Sequence, residues 1–196
     1  MILLLAAVAA LLLAVIVVVL GPIFGLEKPA YTLESREGAL DIRRYEPVTV
    51  ATTTLSGRYR ESSRAGFRTI ARYIFGGNEA SESIAMTAPV LIENPAAPTY
   101  SMAFVMPAAA VASGLPTPSD AALSLQPQAW GRVAVWSFGG WATEERIGQE
   151  WEAMRAALTV RGVQAERFDW VAQYSPPSMP PPLRHNELWV VLDPAP

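Results

Sequence analysis

The sequence predicts an α+β domain: a twisted antiparallel sheet built from two similar halves, with two helices outside it and an apolar segment ahead of it. Three observations predict this. The order strand–helix–strand–strand occurs twice. The strand ends VATTTLSG at 50–57 and VAVWSFGG at 133–140 match, and each runs into a helix of similar length. Residues 2–20 carry no polar side chain at all.

The apolar run comes first. As a helix rising ~1.5 Å per residue it would measure roughly 28 Å, close to the ~30 Å of bilayer hydrocarbon. It exceeds the ~7–15 apolar residues of a signal peptide. The Gly21-Pro22-Ile23-Phe24-Gly25-Leu26 that follows shows no clear small-residue cleavage site. We read residues 1–26 as an N-terminal transmembrane anchor, with a signal sequence as the competing reading. The domain, 30–193, is expected on the extracytoplasmic side, although Lys28, Arg36, Arg43 and Arg44 make a poor positive-inside signal.

The strands come next. Residues 48–55 are β-branched and alternate, placing Val48, Val50, Thr52 and Thr54 on one face. Residues 84–92 form a run broken by Pro89, which suggests an edge or a bulge. Residues 100–106 alternate Met102, Phe104 and Met106, and 132–138 and 186–192 have the same character. Met86 and Met106 read as core filler.

Two helices separate these strands. Residues 59–75 align Phe67, Ile70 and Ile74; residues 144–159 align Ile147, Trp151, Met154 and Leu158. Thr143 suits the N-cap of the second, Glu144 and Glu145 suit its positive end, and Gly162 follows it. Gly76-Gly77 follows the first helix, so it is a capping turn and not a phosphate cradle. The proline-rich stretches at 94–98, 115–118 and 176–182 are loops.

Composition narrows the function. With 51% hydrophobic and 17% charged residues the chain is too apolar for disorder. It has no cysteine and one histidine, which removes disulfide scaffolds, cysteine-held metals and multi-histidine cages. A net charge of −3 argues against nucleic-acid binding. No nucleophile motif, glycine-rich phosphate loop or metal-ligand spacing occurs. Asp41 and Glu187 read as isolated surface or capping acids. The residues point to a binding domain and not to an enzyme.

Charge picks out where binding would occur. The first helix carries Arg60, Arg64, Arg68 and Arg72 at intervals of four. With Arg58 and Glu61, residues 58–72 hold five positive charges and one negative, +4 net. Like charges at i,i+4 oppose each other by a few tenths of a kcal/mol per pair, so acidic neighbours or an anionic ligand should offset them. The second helix is opposite in sign, with four glutamates against Arg146 and Arg155 over 143–158. A solvated charged face is one reading of the first helix. The functional one is an apolar surface edged by guanidiniums, suited to a flat apolar molecule bearing carboxylates.

Specific blocks then carry a resemblance. They are Tyr31 with Leu40-Asp41-Ile42-Arg43-Arg44-Tyr45, Gly66-Phe67-Arg68, Tyr73-Ile74-Phe75-Gly76-Gly77-Asn78 and Ile84-Ala85-Met86-Thr87-Ala88-Pro89-Val90. Phe104-Val105-Met106-Pro107, Phe138-Gly139-Gly140, Tyr174-Ser175-Pro176-Pro177 and Arg184-His185-Asn186-Glu187-Leu188-Trp189 follow in order. The domain resembles the SOUL heme-binding protein family. That resemblance implies a distorted antiparallel barrel of two pseudo-symmetric β-α-β-β repeats with two flanking helices. It implies non-covalent binding of heme or another porphyrin through an apolar groove beside the first helix.

By motif the resemblance carries the tetrapyrrole contacts onto Arg64, Phe67, Ala71 and Arg72. Ala71 replaces a larger apolar residue, and a further basic contact falls in Met179-Pro180-Pro181 and is lost. The position of a proposed iron-ligating histidine is Arg44 here, which leaves His185 as the remaining candidate imidazole. The Thr87-Ala88-Pro89 and Arg184 to Trp189 blocks read as structural. Besides a tetrapyrrole binder, two alternatives stand: a module for other amphipathic small molecules, and a structural or partner-binding domain without a ligand.

Overall fold

Alternation of small and β-branched side chains between proline-rich loops produces nine strands joined in one antiparallel sheet. The computed structural model describes residues 25–193; the expected membrane segment, 2–20, lies outside the described residues. The strands are β1 (Tyr31–Glu37), β2 (Leu40–Tyr45), β3 (Val48–Ser56), β4 (Val90–Glu93), β5 (Thr99–Val105), β6 (Leu123–Gln128), β7 (Arg132–Phe138), β8 (Trp170–Gln173) and β9 (Asn186–Asp193). The helices are α1 (Tyr59–Ile74), α2 (Ala108–Ser113) and α3 (Glu144–Val160).

The sheet order is β1-β2-β7-β9-β8-β4-β5-β3-β6. The two halves stand out in it. β3-α1-β4-β5 forms the block β4-β5-β3, β7-α3-β8-β9 forms the block β7-β9-β8, and the blocks join through the β4–β8 pair. This is the strand–helix–strand–strand order that the sequence shows twice. β2 and β6 flank the blocks symmetrically.

The expected barrel is not formed. The sheet is open, with β1 paired only to β2 and β6 paired only to β3. Both edges explain themselves physically. Every residue of β1 is exposed, so it has no apolar face to bury, and Pro127 in β6 lacks the N–H that a further strand would need.

Both faces of the central strands are buried, which the one-sided pattern read for 48–55 did not anticipate. Ala51, Leu55, Tyr100, Met102 and Phe104 pack against Ile70 and Ile74 of α1, while Val171, Leu188 and Val190 join Ile147, Met154 and Leu158 of α3. On the other face Val50, Leu91, Val105, Val133 and Val135 surround Trp130, Trp189 and Tyr45. The 84–92 run becomes a strand only from Val90, because the segment before it bonds elsewhere. Ile84 N–H donates to Ile74 O (2.7 Å) and the Thr87 hydroxyl to Val105 O (2.6 Å).

Capping follows the sequence. Thr143 Oγ1 accepts from Arg146 N–H at 3.2 Å, and Gly162 adopts φ 73° just past α3. Gly77 N–H donates to Arg72 O at 2.8 Å and closes α1. A Cβ there would stand 2.7 Å from that same oxygen, so glycine is required.

Candidate functional site

α1 is held on the sheet by small-to-large packing. Gly66 is buried, and a Cβ built on it would lie 2.4 Å from Leu55 Cδ2. The absent side chain lets the helix settle against β3. Tyr59, Ile70, Tyr73 and Ile74 fill the interface, and the Ser62 hydroxyl shares a 2.5 Å hydrogen bond with Tyr100 Oη. The outward arc is thereby fixed.

That arc carries the arginines. Arg60, Arg64, Arg68 and Arg72 are all exposed, and none of them forms an ion pair among the described residues. No acidic side chain, Glu61 of the same helix included, pairs with them there to offset their repulsion. Phe67 is half-buried, its ring 5.4 Å from that of Phe104 and tilted by 56°. Ala71 is 9% exposed.

At ~100° per residue, Arg64, Phe67 and Ala71 fall within about 60° on one flank of the helix. Arg72 stands about 80° round from Arg64, on the far side of the arc. The structure therefore brings together Arg64, Phe67 and Ala71 as a ledge of guanidinium and apolar surface, with Arg68 and Arg72 beyond its rim. His185 is not among them: it lies on the other face of the sheet.

A hollow of about 230 Å³ lies past the C-terminal end of α1, lined by Ser83, Ile84, Ala85, Pro107 and Ala110 among others. None of the four expected contacts lines it. It is smaller than the roughly 300–1,000 Å³ typical of enclosed ligand pockets.

The sheet face away from the helices holds a polar cluster that sequence reading missed. Asp41 and Glu187, read as isolated acids, are both buried and are bridged by Arg43. Arg43 donates to Asp41 Oδ2 (2.7 Å), Glu187 Oε1 (2.9 Å) and Tyr45 Oη (3.2 Å), and lies 4.5 Å from the Tyr31 ring centroid. Glu187 also accepts from Tyr174 Oη and Trp189 Nε1, both at 2.8 Å, and faces His185 Nε2 at 3.1 Å. The alternation of Asp41, Arg43 and Tyr45 on one face of β2 was the signal available.

Electrostatics make this cluster a lock. Burial pushes the Glu187 carboxyl up, but His185, Arg43 and Trp189 together hold it below its usual value. Arg36 and Arg43 hold Asp41 down against its own burial. Burial raises Tyr45, and burial together with the Glu187 charge raises Tyr174. Asp41 and Glu187 are already paired with an internal cation, so neither is free for a cationic ligand. No group of three or more His, Cys, Asp or Glu able to hold a metal ion occurs among the described residues.

The last strand is tied down as its sequence block suggested. Arg184 donates to Met179 O (3.0 Å) and Pro177 O (2.8 Å) and lies 3.5 Å from the Trp141 ring centroid. Asn186 Nδ2 donates to Gly140 O at 2.9 Å.

The family profile described as SOUL heme-binding protein matches residues 26–191. The chain belongs to the SOUL heme-binding protein family. Heme-binding protein 1 of Xenopus laevis is 27% identical over 160 residues, covering 78% of this chain and 83% of the relative. Heme-binding protein 2 of Mus musculus is 27% identical over 178 residues, covering 85% and 86%. Among solved structures, the EcmrR C-terminal domain superposes with a TM-score of 0.53 at 8% identity, covering 83% of this chain and 98% of that domain. The last likeness is one of fold alone. Both SOUL relatives are matched over most of their length, so the family extends across the described domain.

Proposed function

We propose that this SOUL-family chain is a membrane-tethered tetrapyrrole-binding protein. The observation that carries the proposal is the row of unpaired guanidiniums beside the apolar Phe67–Ala71 flank. Four like charges on one helix without acidic partners favour an anionic ligand, and the neighbouring flank favours an apolar, planar one. Heme or a free porphyrin meets both demands through its ring and its two propionates. Family membership and the names of the two relatives point to the same ligand class.

On this reading Phe67 and Ala71 offer the surface on which the ring rests. Arg64 pairs with one propionate from the same flank, and Arg72, further round, meets the other. When bound, heme would bring the spectroscopy and redox capacity of its iron. The residues of this chain bind and orient the macrocycle. No imidazole stands on this flank, because His185 Nε2 faces Glu187 across the sheet. Binding thus rests on packing and charge, and the site takes porphyrins with and without iron alike. The apolar run at 2–20 holds the domain at a bilayer, and the protein acts as a carrier or a store, not as a catalyst.

A competition experiment tests the propionate pairing. Protoporphyrin should displace bound hemin, and its dimethyl ester should do so about tenfold less well for each charge-assisted pair worth ~1.4 kcal/mol. Equal displacement by acid and ester would refute the pairing.

A further inference from the structure

We propose that the end of the domain formed by Phe75, α2 and the hollow between them docks on the surface of the bilayer. This inference rests on the proposed tether at 2–20. It begins from where that tether enters the fold. Ala88 N–H donates to Glu27 O at 2.9 Å, and Ala108 N–H, at the start of α2, donates to Glu27 Oε1 at 2.8 Å. Glu27 is therefore pinned against the wall of the hollow. Six residues separate it from Leu20, and the seven steps between the two, at ~3.3–3.6 Å each, span at most about 25 Å. The bilayer boundary lies within that reach of this end of the molecule.

The surface presented there suits a lipid interface. Phe75 is 66% exposed and bridges to Ser83, which lines the hollow. Val111 is exposed on α2, which reads AAAVAS. Between Asn94 and Asp120 the sequence has no Asp, Glu, Lys or Arg. The hollow itself is lined by Ile84, Ala85, Pro107, Ala109 and Ala110, with Glu82 the one charged side chain. An exposed phenylalanine and valine around a depression lined mostly by apolar side chains, held at this distance from a bilayer, bury apolar area in the interface. The attraction is apolar and not electrostatic, because charges of both signs flank Phe75 in sequence, Arg72 before it and Glu79 and Glu82 after it.

The chain has no cysteine, so single labels can be placed cleanly. We would reconstitute full-length Phe75→Cys, Val111→Cys and Val160→Cys variants in phosphatidylcholine vesicles, each carrying an environment-sensitive fluorophore. Val160, 89% exposed at the end of α3, is the control. The docked state predicts blue-shifted emission at 75 and 111, quenched by lipids with a shallow nitroxide, and water-like emission at 160. Adding Phe75→Glu to the Val111→Cys variant should reverse the shift at 111. Equal shifts in neutral and anionic vesicles are expected.

Three outcomes overturn the proposal. Chain retained in vesicles with all three labels water-like removes the docking and leaves the tether standing. Chain released from the vesicles by alkaline carbonate removes the tether and the docking with it. A shift lost on diluting the protein in excess lipid assigns the surface to a second copy of the chain.

Discussion

Arg43 joins two buried carboxylates on separate strands. It neutralises Asp41 and Glu187 where water cannot. Removing one member of a buried ionic cluster leaves the others unpaired, at a cost of about 3–5 kcal/mol. Arg43→Ala should lower stability by that amount in denaturant unfolding followed by tryptophan fluorescence. Both acids are held below their usual values of 3.8 for Asp41 and 4.5 for Glu187. The stability they add is present in full above those values and is lost as pH falls through the lower folded ones. The urea midpoint should therefore drop steeply below about pH 4, and less steeply in Glu187→Gln. A flat profile in the wild type would contradict the network. Sequence reading failed here because burial is a tertiary property. Asp41 and Glu187 lie on different strands, with β7 between β2 and β9, and nothing local announces that Arg43 joins them.

At the scale of elements, α1 is a ledge whose height is set by Gly66. Gly66→Ala must displace Leu55 Cδ2 and should cost about 1–3 kcal/mol by overpacking. Removing the α3 cap with Thr143→Ala should cost about 1 kcal/mol. Thermal denaturation of the two variants ranks them. Both helices were legible in the sequence to within a residue, because apolar spacing and caps are local signals. The strands were less so. β1 is exposed along its length and shows no buried alternation, β6 contains Pro127, and β8 has four residues. Each lacks the periodicity that identifies a strand. Pairing to neighbours specifies them instead. The same locality divides the site: the arginine row was readable as i,i+4 spacing, whereas the placement of the hollow beyond α1 depends on α2, which the sequence did not announce.

The whole molecule is an open sheet with two different faces and one distinct end. One face carries the helices and the guanidinium ledge. The other is sealed by Trp130, Trp189, Tyr45 and the Arg43 cluster. Glu27, the residue that the proposed tether would lead into, is held at the end where α2 and Phe75 lie. A tetrapyrrole on α1 would thus be carried beside the membrane, in reach of a dye partitioning between lipid and protein. If so, the chain should remain with the membrane fraction after carbonate extraction, as detected by immunoblot.

The account's central claim is that the α1 ledge binds a planar dianion by its ring and its carboxylates. It is tested most directly by titrating hemin into the protein and into the Arg64→Ala/Arg72→Ala variant while recording the Soret band. Loss of two charge-assisted pairs, each worth ~1.4 kcal/mol, predicts binding about 100-fold weaker in the variant with its fold intact. An identical titration curve in the two proteins would contradict the claim.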